Sequence, residues 1–232
     1  MAPLLLVLFV CQTAGEADSQ QRGLTLAAGG QLEAAAAAFS KACERSPKQD
    51  DACYYSARTL FTLGRYVEAR DAFEKALRLA SKPILARVHR GAALNFIALT
   101  SPDEAERHFL EAVRLTRSTP QSGEDSRIDY AAFLFRQGRA ADALPLLEEA
   151  VAAQPDSARA LTELGRVLLH TGKKEMAAAR LERAVELDPG STTARLLLGR
   201  TYLELDRKEE GEKQLRLGQE SWKRRYGSST VK

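Results

Sequence analysis

The chain has 232 residues, of which 44% are hydrophobic and 28% are charged, and its formal net charge is +3. This composition is typical of a globular all-α domain, with only 8 prolines to interrupt helices. So small a net charge gives no reason to expect nucleic acid or an anionic membrane as the partner.

The first element is an apolar run over Leu4–Val10, followed by the small residues Ala14 and Gly15. The run is too short to cross a bilayer core, which needs about 20 residues. The pattern predicts a secretory signal peptide over residues 1–15, no integral membrane span, and export to the periplasm or the extracellular space. The alternative is an apolar first helix that packs on the end of the fold, in a protein that stays in the cytoplasm.

Beyond this run, a small residue, an aromatic residue or leucine, and a second small residue recur together along the chain. The intervals between successive copies are 34, 36, 38, 34 and 34 residues. The triplets are Ala35-Phe39-Ala42, Ala69-Phe73-Ala76, Ala105-Phe109-Ala112, Ala143-Leu147-Ala150, Ala177-Leu181-Ala184 and Gly211-Leu215-Gly218. A further small residue keeps the same intervals, 12 positions earlier, at Gly23, Ala57, Ala93, Ala131, Gly165 and Gly199.

Small residues at these positions let two antiparallel helices approach closely, and the larger side chain between them fills the remaining space. One such hairpin buries too little apolar surface to be stable alone, so each repeat must pack against its neighbours. The period therefore predicts a stack of helical hairpins.

Turn and cap residues support the same division of the chain. Gly64, Gly138 and Gly172 lie between the two helices of their hairpins, where glycine suits a helix C-terminal cap. The segments Gln154–Ser157 and Asp188–Ser191 each contain a proline at the end of a repeat, and an Asp or Ser side chain there caps the amides of the next helix.

The repeated pattern resembles that of tetratricopeptide repeats, most clearly in Leu164-Gly165, Ala177, Leu181 and Ala184. The resemblance implies a right-handed α-solenoid of about six helical hairpins over residues 16–225. The predicted repeats cover residues 16–49, 50–83, 86–119, 124–157, 158–191 and 192–225, and residues 226–232 form a C-terminal tail.

Two cysteines, Cys43 and Cys53, lie on either side of the junction between the first two repeats. The arrangement resembles the Sel1-like relatives of tetratricopeptide repeats, which join a cysteine on each side of the connecting turn. This resemblance implies a Cys43–Cys53 disulfide, consistent with an exported protein. The alternative is a pair of reduced thiols that pack between helices, as in a cytosolic protein.

In tetratricopeptide repeat proteins the first helices of successive repeats line a concave groove, so the resemblance implies a protein or peptide partner. Arginine predominates at the corresponding positions, and its planar donors suit a carboxylate, so we expect an acidic segment. Alternatively, these arginines are solvated or pair with neighbouring acids. The candidate groove residues are Tyr54, Arg58, Phe61, Arg87, Arg90, Arg136, Arg159, Arg166, His170 and Arg200.

The sequence offers no catalytic motif. His89, His108 and His170 are assigned to different repeats, without a partner at metal-ligand helical spacing, so we expect no metal site. Neither a glycine-rich phosphate loop nor a nucleophile elbow occurs. We therefore expect a non-catalytic scaffold without a cofactor.

A second functional class remains open, in which the protein is a self-associating structural or assembly component of the cell envelope. Apolar side chains in the predicted groove would form the contact between copies. These side chains are Phe61, Leu94, Ile97, Phe135 and Leu169.

Overall fold

A computed structural model describes residues 19–45, 50–79, 82–118 and 125–227, and within these ranges it contains twelve helices and no strand. The expected all-α fold is confirmed. The first helix, α1, covers residues 19–28. The others are α2 (Leu32–Arg45), α3 (Asp50–Thr62), α4 (Tyr66–Leu79), α5 (Lys82–Ala98), α6 (Pro102–Ser118), α7 (Ser126–Arg136), α8 (Ala140–Ala153), α9 (Ala158–His170), α10 (Lys174–Leu187), α11 (Thr192–Glu204) and α12 (Lys208–Tyr226).

The chain divides into two compact units, an N-terminal unit up to Ser126 and a C-terminal unit from Arg127 onward. In the N-terminal unit each helix from α2 to α6 packs on the next, and in the C-terminal unit the same holds from α8 to α12. The first helices of consecutive hairpins also touch, α3 with α5 and α9 with α11. Contacts restricted to neighbours in this way are the packing of a repeat protein.

The small residues of the repeat lie where two helices approach most closely. A Cβ atom built on Gly165 would be 2.5 Å from Leu181 Cγ, and one on Gly199 would be 2.8 Å from Leu215 Cγ. A Cβ atom built on Gly211 would likewise be 2.8 Å from Leu203 Cγ. In the α11–α12 hairpin Gly199 faces Leu215, whereas Leu203, later in α11, faces Gly211, earlier in α12. The two helices are therefore antiparallel. The predicted role of the small residues is confirmed.

Each hairpin turns at a residue with left-handed backbone. In four turns this residue is glycine, namely Gly30, Gly64, Gly138 and Gly172, with φ between 74° and 78°. In the other two it is Thr100 (φ 57°) and Asp206 (φ 59°). These six positions follow the intervals of the repeat, so one turn geometry serves every hairpin of the described chain.

The two predicted helix caps are confirmed, and in both the capping residue is the serine. Ser157 Oγ accepts a hydrogen bond from the Ala160 amide at 3.3 Å, at the start of α9. Ser191 Oγ accepts from the Ala194 amide at 3.3 Å, at the start of α11. Each bond satisfies an amide that has no partner within its helix.

A polar cluster ties three helices of the C-terminal unit together. Tyr202 donates its hydroxyl to Glu182 Oε1 at 2.7 Å, joining α11 to α10. The guanidinium of Arg207 lies 4.0 Å from the centre of the Tyr202 ring, at the beginning of α12. Burial, and then the bond to Glu182, raises the pKa of Tyr202 to about 12, so the phenol keeps its proton at neutral pH.

A disulfide joins Cys43 at the end of α2 to Cys53 in the first turns of α3. The two Cα atoms are 4.8 Å apart, and the side chains are only 5% and 1% exposed. The bond thus fastens the first two hairpins of the N-terminal unit to each other. It agrees with the pairing implied by the resemblance to Sel1-like repeats.

Among the described residues, no helix has both the length and the apolar character that a membrane span requires. The predicted signal peptide, residues 1–15, lies outside the described ranges, as does most of the predicted C-terminal tail. Both remain predictions.

Candidate peptide-binding groove

Two pockets lie along the first helices of the C-terminal unit. The first pocket has a volume of about 390 Å³, and the second pocket has a volume of about 280 Å³. The first pocket is lined by Phe135, Arg166, Leu169, His170, Leu197, Arg200 and Glu204. The second pocket is lined by Ala158, Arg159, Thr162, Glu163, Arg166, Asp188, Ser191 and Thr193.

Helix α9 connects the two pockets. Its residues Arg159, Glu163, Arg166 and His170 recur every three or four positions, so they share one face of the helix. Arg166 lines both pockets. The two pockets therefore form one continuous row along α9.

The first pocket is built from three first helices, α7, α9 and α11. The Phe135 and His170 rings meet edge to face, with centroids 5.0 Å apart. Phe135 and Leu197 are half-buried, so they offer apolar surface to a ligand side chain, whereas Leu169 is buried. Arg200 and Glu204 add charged groups from α11.

Arginines that line these pockets already have carboxylate partners. Arg166 Nε lies 3.0 Å from Glu163 Oε2, and Arg200 Nε lies 3.4 Å from Glu204 Oε1. Arg159 pairs with Asp129, a buried residue of α7. The structure therefore shows the pairing with neighbouring acids that the sequence left as an alternative.

In the N-terminal unit, the prediction that Tyr54 lies on the groove surface differs from its position in the structure. Tyr54 is 2% exposed and packs against Phe73, with ring centroids 6.5 Å apart. The Arg87 guanidinium lies 5.6 Å from the centre of the Tyr54 ring and 3.5 Å from Asp51 Oδ1. Any ligand contact at this point would therefore involve Arg87 rather than Tyr54.

The remaining candidates are at least partly accessible. Arg58 and Arg136 are exposed, whereas Arg90 and Phe61 are half-buried. The Phe61 ring lies 5.5 Å from that of Tyr66, at the turn of its hairpin. None of these positions changes the prediction that the first helices carry the binding surface.

Sequence reasoning missed a contact between two histidines. His89 in α5 and His108 in α6 belong to one hairpin, and their Nδ1 atoms are 3.0 Å apart, so one ring donates a hydrogen bond to the other. Phe96 stacks on His108 at 5.3 Å. The assignment of these histidines to different repeats was wrong. The signal was in the predicted repeat boundaries, because residues 86–119 contain both histidines.

The histidine pair favours the neutral state. Burial, followed by the charge of His108, lowers the pKa of His89 to about 4. Burial, followed by the charge of Arg107, also lowers the pKa of His108. Glu111 opposes the shift at His89, and Glu104 and Glu74 oppose it at His108. No group of three metal-ligating side chains occurs within the described residues.

This pair should make the stability of the N-terminal unit depend on pH. In the unfolded chain His89 binds a proton near pH 6.5, whereas the folded state resists protonation until about pH 4. The free energy of unfolding should therefore fall by about 1–2 kcal/mol between pH 6.5 and 4, a value reduced for partial solvent exposure. Urea unfolding at several pH values measures it.

The matched variant for this measurement is His89→Gln/His108→Gln. Carboxylates also titrate in this range, so the informative quantity is the difference between the pH dependence of the two proteins. The variant should lose the histidine contribution and keep the rest. An identical pH dependence in both proteins would contradict the role of the pair.

Sequence profiles described as tetratricopeptide repeat match residues 21–82, 134–191 and 175–221, which together make up more than half of the chain. No curated protein matches the chain in sequence. The profile matches fall in both units and include the two groove pockets.

Several solved structures share the fold. PilF of Pseudomonas aeruginosa is 20% identical with a TM-score of 0.74, and the match covers 94% of this chain and 95% of that one. PilW, described as a widely conserved type IV pilus biogenesis factor, is 19% identical with a TM-score of 0.73, and the match covers 93% of this chain and 94% of that one. YrrB, described as a TPR protein with an unusual peptide-binding site, is 24% identical with a TM-score of 0.59, and the match covers 80% of this chain and 93% of that one.

Proposed function

Because this chain belongs to the tetratricopeptide repeat family, we propose that it is a scaffold that binds a peptide segment of a partner protein along the first helices of its C-terminal unit. The fold is one that serves protein–protein interaction, and proteins of this family are generally non-catalytic. We therefore assign no reaction to the protein.

The continuous row formed by the two pockets carries this proposal. Pockets of about 390 Å³ and 280 Å³ meet at Arg166, and each is large enough to receive a side chain of an extended peptide. The row contains four of the candidate residues, Arg159, Arg166, His170 and Arg200. YrrB, which shares the fold, is described as having a peptide-binding site.

The lining favours a peptide that combines an apolar and an acidic residue. An apolar side chain would contact the half-buried Phe135 and Leu197. The ion pairs of Arg166 and Arg200 are partly exposed, and such pairs contribute about 0–1 kcal/mol. A ligand carboxylate can therefore compete with Glu163 or Glu204 for the arginine.

We also propose that the protein is exported, to the periplasm or the extracellular space. The predicted signal peptide over residues 1–15 supports this, and so does the Cys43–Cys53 disulfide, because such bonds persist in oxidising compartments. PilW, which shares the fold, is described as a pilus biogenesis factor. A cytoplasmic protein would need its cysteines protected from reduction.

The proposal is tested by capturing partners with a variant of the first pocket. His170→Glu/Arg200→Glu changes two exposed residues of the pocket and adds negative charge where an acidic ligand would lie. Purified wild type and variant, immobilised in equal amounts, are exposed to the same cell extract, and bound proteins are quantified by mass spectrometry. We expect the variant to retain about tenfold less of the specific partner.

The matched control is Ala179→Glu/Arg180→Glu, which makes the same charge change at exposed positions of the second helix α10. It should retain the partner as the wild type does. Equal capture by all three proteins would overturn the assignment of the groove. Light scattering at two concentrations tests the alternative, since self-association would appear as a mass that rises with concentration.

A further inference from the structure

A third pocket lies at the C-terminal end of the C-terminal unit and shares no lining residue with the two groove pockets. Its volume is about 510 Å³. It forms where the turn between α10 and α11 meets the last turns of α12. The lining residues are Pro189, Gly190, Arg195, Ser221, Arg224 and Arg225.

Arg195 is held in place by neutral oxygen atoms. Its Nε donates to the Pro189 carbonyl at 2.8 Å, and its Nη1 donates to Gln214 Oε1 at 2.8 Å. These bonds fix the guanidinium plane without neutralising its charge. A guanidinium fixed in this way loses little side-chain entropy when it binds an anion.

Arg224 and Arg225 bring two more positive charges to the same pocket. Both are exposed, and neither has a carboxylate within 4.0 Å in the described part of the chain. The guanidinium of Arg225 reaches the Gly190 turn, since its Nη2 would lie 3.8 Å from a Cβ atom built on Gly190. This differs from the groove, where Arg159, Arg166 and Arg200 each have an acid partner.

The local charge is not balanced by the fold. Asp188 is the acidic residue of the adjoining turn, and its Oδ1 accepts a hydrogen bond from the Gly190 amide at 3.0 Å. Basic residues in the last turn of α12 are favourable to the helix dipole, which accounts for Arg224 and Arg225 separately. It does not account for Arg195, which comes from another helix.

We propose that the pocket of Arg195, Arg224 and Arg225 binds a phosphate monoester group. Three guanidinium groups and one carboxylate leave an excess of two positive charges, which matches a phosphate monoester of about −1.5 to −2 at pH 7. Planar guanidinium groups bind phosphate oxygens in pairs. The volume of about 510 Å³ exceeds that of a phosphate group, so part of the molecule that carries it also fits.

Calorimetric titration at low ionic strength measures the binding directly. The probes are inorganic phosphate, O-phosphoserine and glycerol 3-phosphate, which represent the free ion, a phosphorylated protein and a lipid headgroup. Trp222, the single tryptophan of the chain and 54% exposed, lies two and three residues from the arginines and provides a second signal through its fluorescence. Tighter binding of O-phosphoserine would indicate a phosphorylated protein as the ligand, and tighter binding of glycerol 3-phosphate would indicate a lipid headgroup. Equal binding would show that the pocket recognises the phosphate group alone.

Two variants test the named residues. Arg224→Gln/Arg225→Gln removes exposed side chains and should weaken phosphate binding by about tenfold or more. Arg195→Gln should weaken it by a similar factor, and thermal unfolding must show that it remains folded. The control is Lys213→Gln/Arg216→Gln, which removes the same charge from exposed positions of the same helix.

The control should bind phosphate as the wild type does. Unchanged affinity in Arg224→Gln/Arg225→Gln would overturn the proposal, as would an equal loss in the control, since that would show general attraction to a basic helix. No binding of any probe by the wild type would overturn it as well. The groove proposal is independent of these results, because none of the substituted residues lines a groove pocket.

Discussion

Replacing Gly199 with alanine is expected to lower the free energy of unfolding by about 2–3 kcal/mol. Elsewhere in a helix the same substitution stabilises by about 1 kcal/mol, so the expected sign is reversed. The reason is the distance between α11 and α12, where an added Cβ would lie 2.9 Å from the Gly211 carbonyl oxygen and 2.8 Å from Leu215 Cγ. The leucine can move, but the backbone oxygen can move only if the two helices separate.

Urea unfolding followed by circular dichroism measures this change. Gly211→Ala should behave in the same way, because its Cβ would lie 2.9 Å from the Gly199 carbonyl oxygen. Gly218→Ala is the control in the same hairpin, since its nearest neighbours are side-chain atoms of Leu196 at 3.1 and 3.3 Å. Gly218→Ala should lower the free energy of unfolding by much less than Gly199→Ala. If Gly199→Ala were as stable as the wild type, the close approach of the two helices would be wrong.

The repeat was predictable from the sequence because close packing restricts residue size wherever two helices touch. Gly165 and Gly199 fulfil that role in the structure. The hairpin turns were only partly predictable. Gly64 signals its turn by residue type, whereas Thr100 and Asp206 adopt the same left-handed backbone without any glycine. At these two positions the packing of the hairpin sets the conformation, and the local residue only tolerates it.

The contacts of the candidate site were likewise only partly predictable from the sequence. The ion pairs of Arg166 with Glu163 and of Arg200 with Glu204 follow from helical spacing and were open to prediction. Arg159 and Asp129 are separated by 30 residues, so their contact depends on how two hairpins stack. Burial of a single side chain, as at Tyr54, depends on the same stacking, which residue spacing alone does not specify.

Reducing the Cys43–Cys53 disulfide is expected to lower the free energy of unfolding by about 2–3 kcal/mol. The bond closes a short loop, with a sequence separation of 10 residues, so it removes conformations mainly from the unfolded chain. The loss should fall on the N-terminal unit, because α2 and α3 both belong to it. Hydrogen exchange can separate the units, with faster exchange expected in α2 and α3 than in α9 to α12.

The measurement compares thermal unfolding with and without dithiothreitol, because oxidised and reduced forms of the same chain differ only in the bond. The control is Cys43→Ala/Cys53→Ala, whose stability should be low and insensitive to the reductant. This control also accounts for the third cysteine of the sequence, Cys11, which it retains. If the reductant destabilised wild type and control equally, the effect would come from elsewhere. An unchanged melting temperature in the wild type would mean that the two buried sulfurs do not stabilise the fold as a bond, and the argument for an oxidising compartment would then lose its structural support.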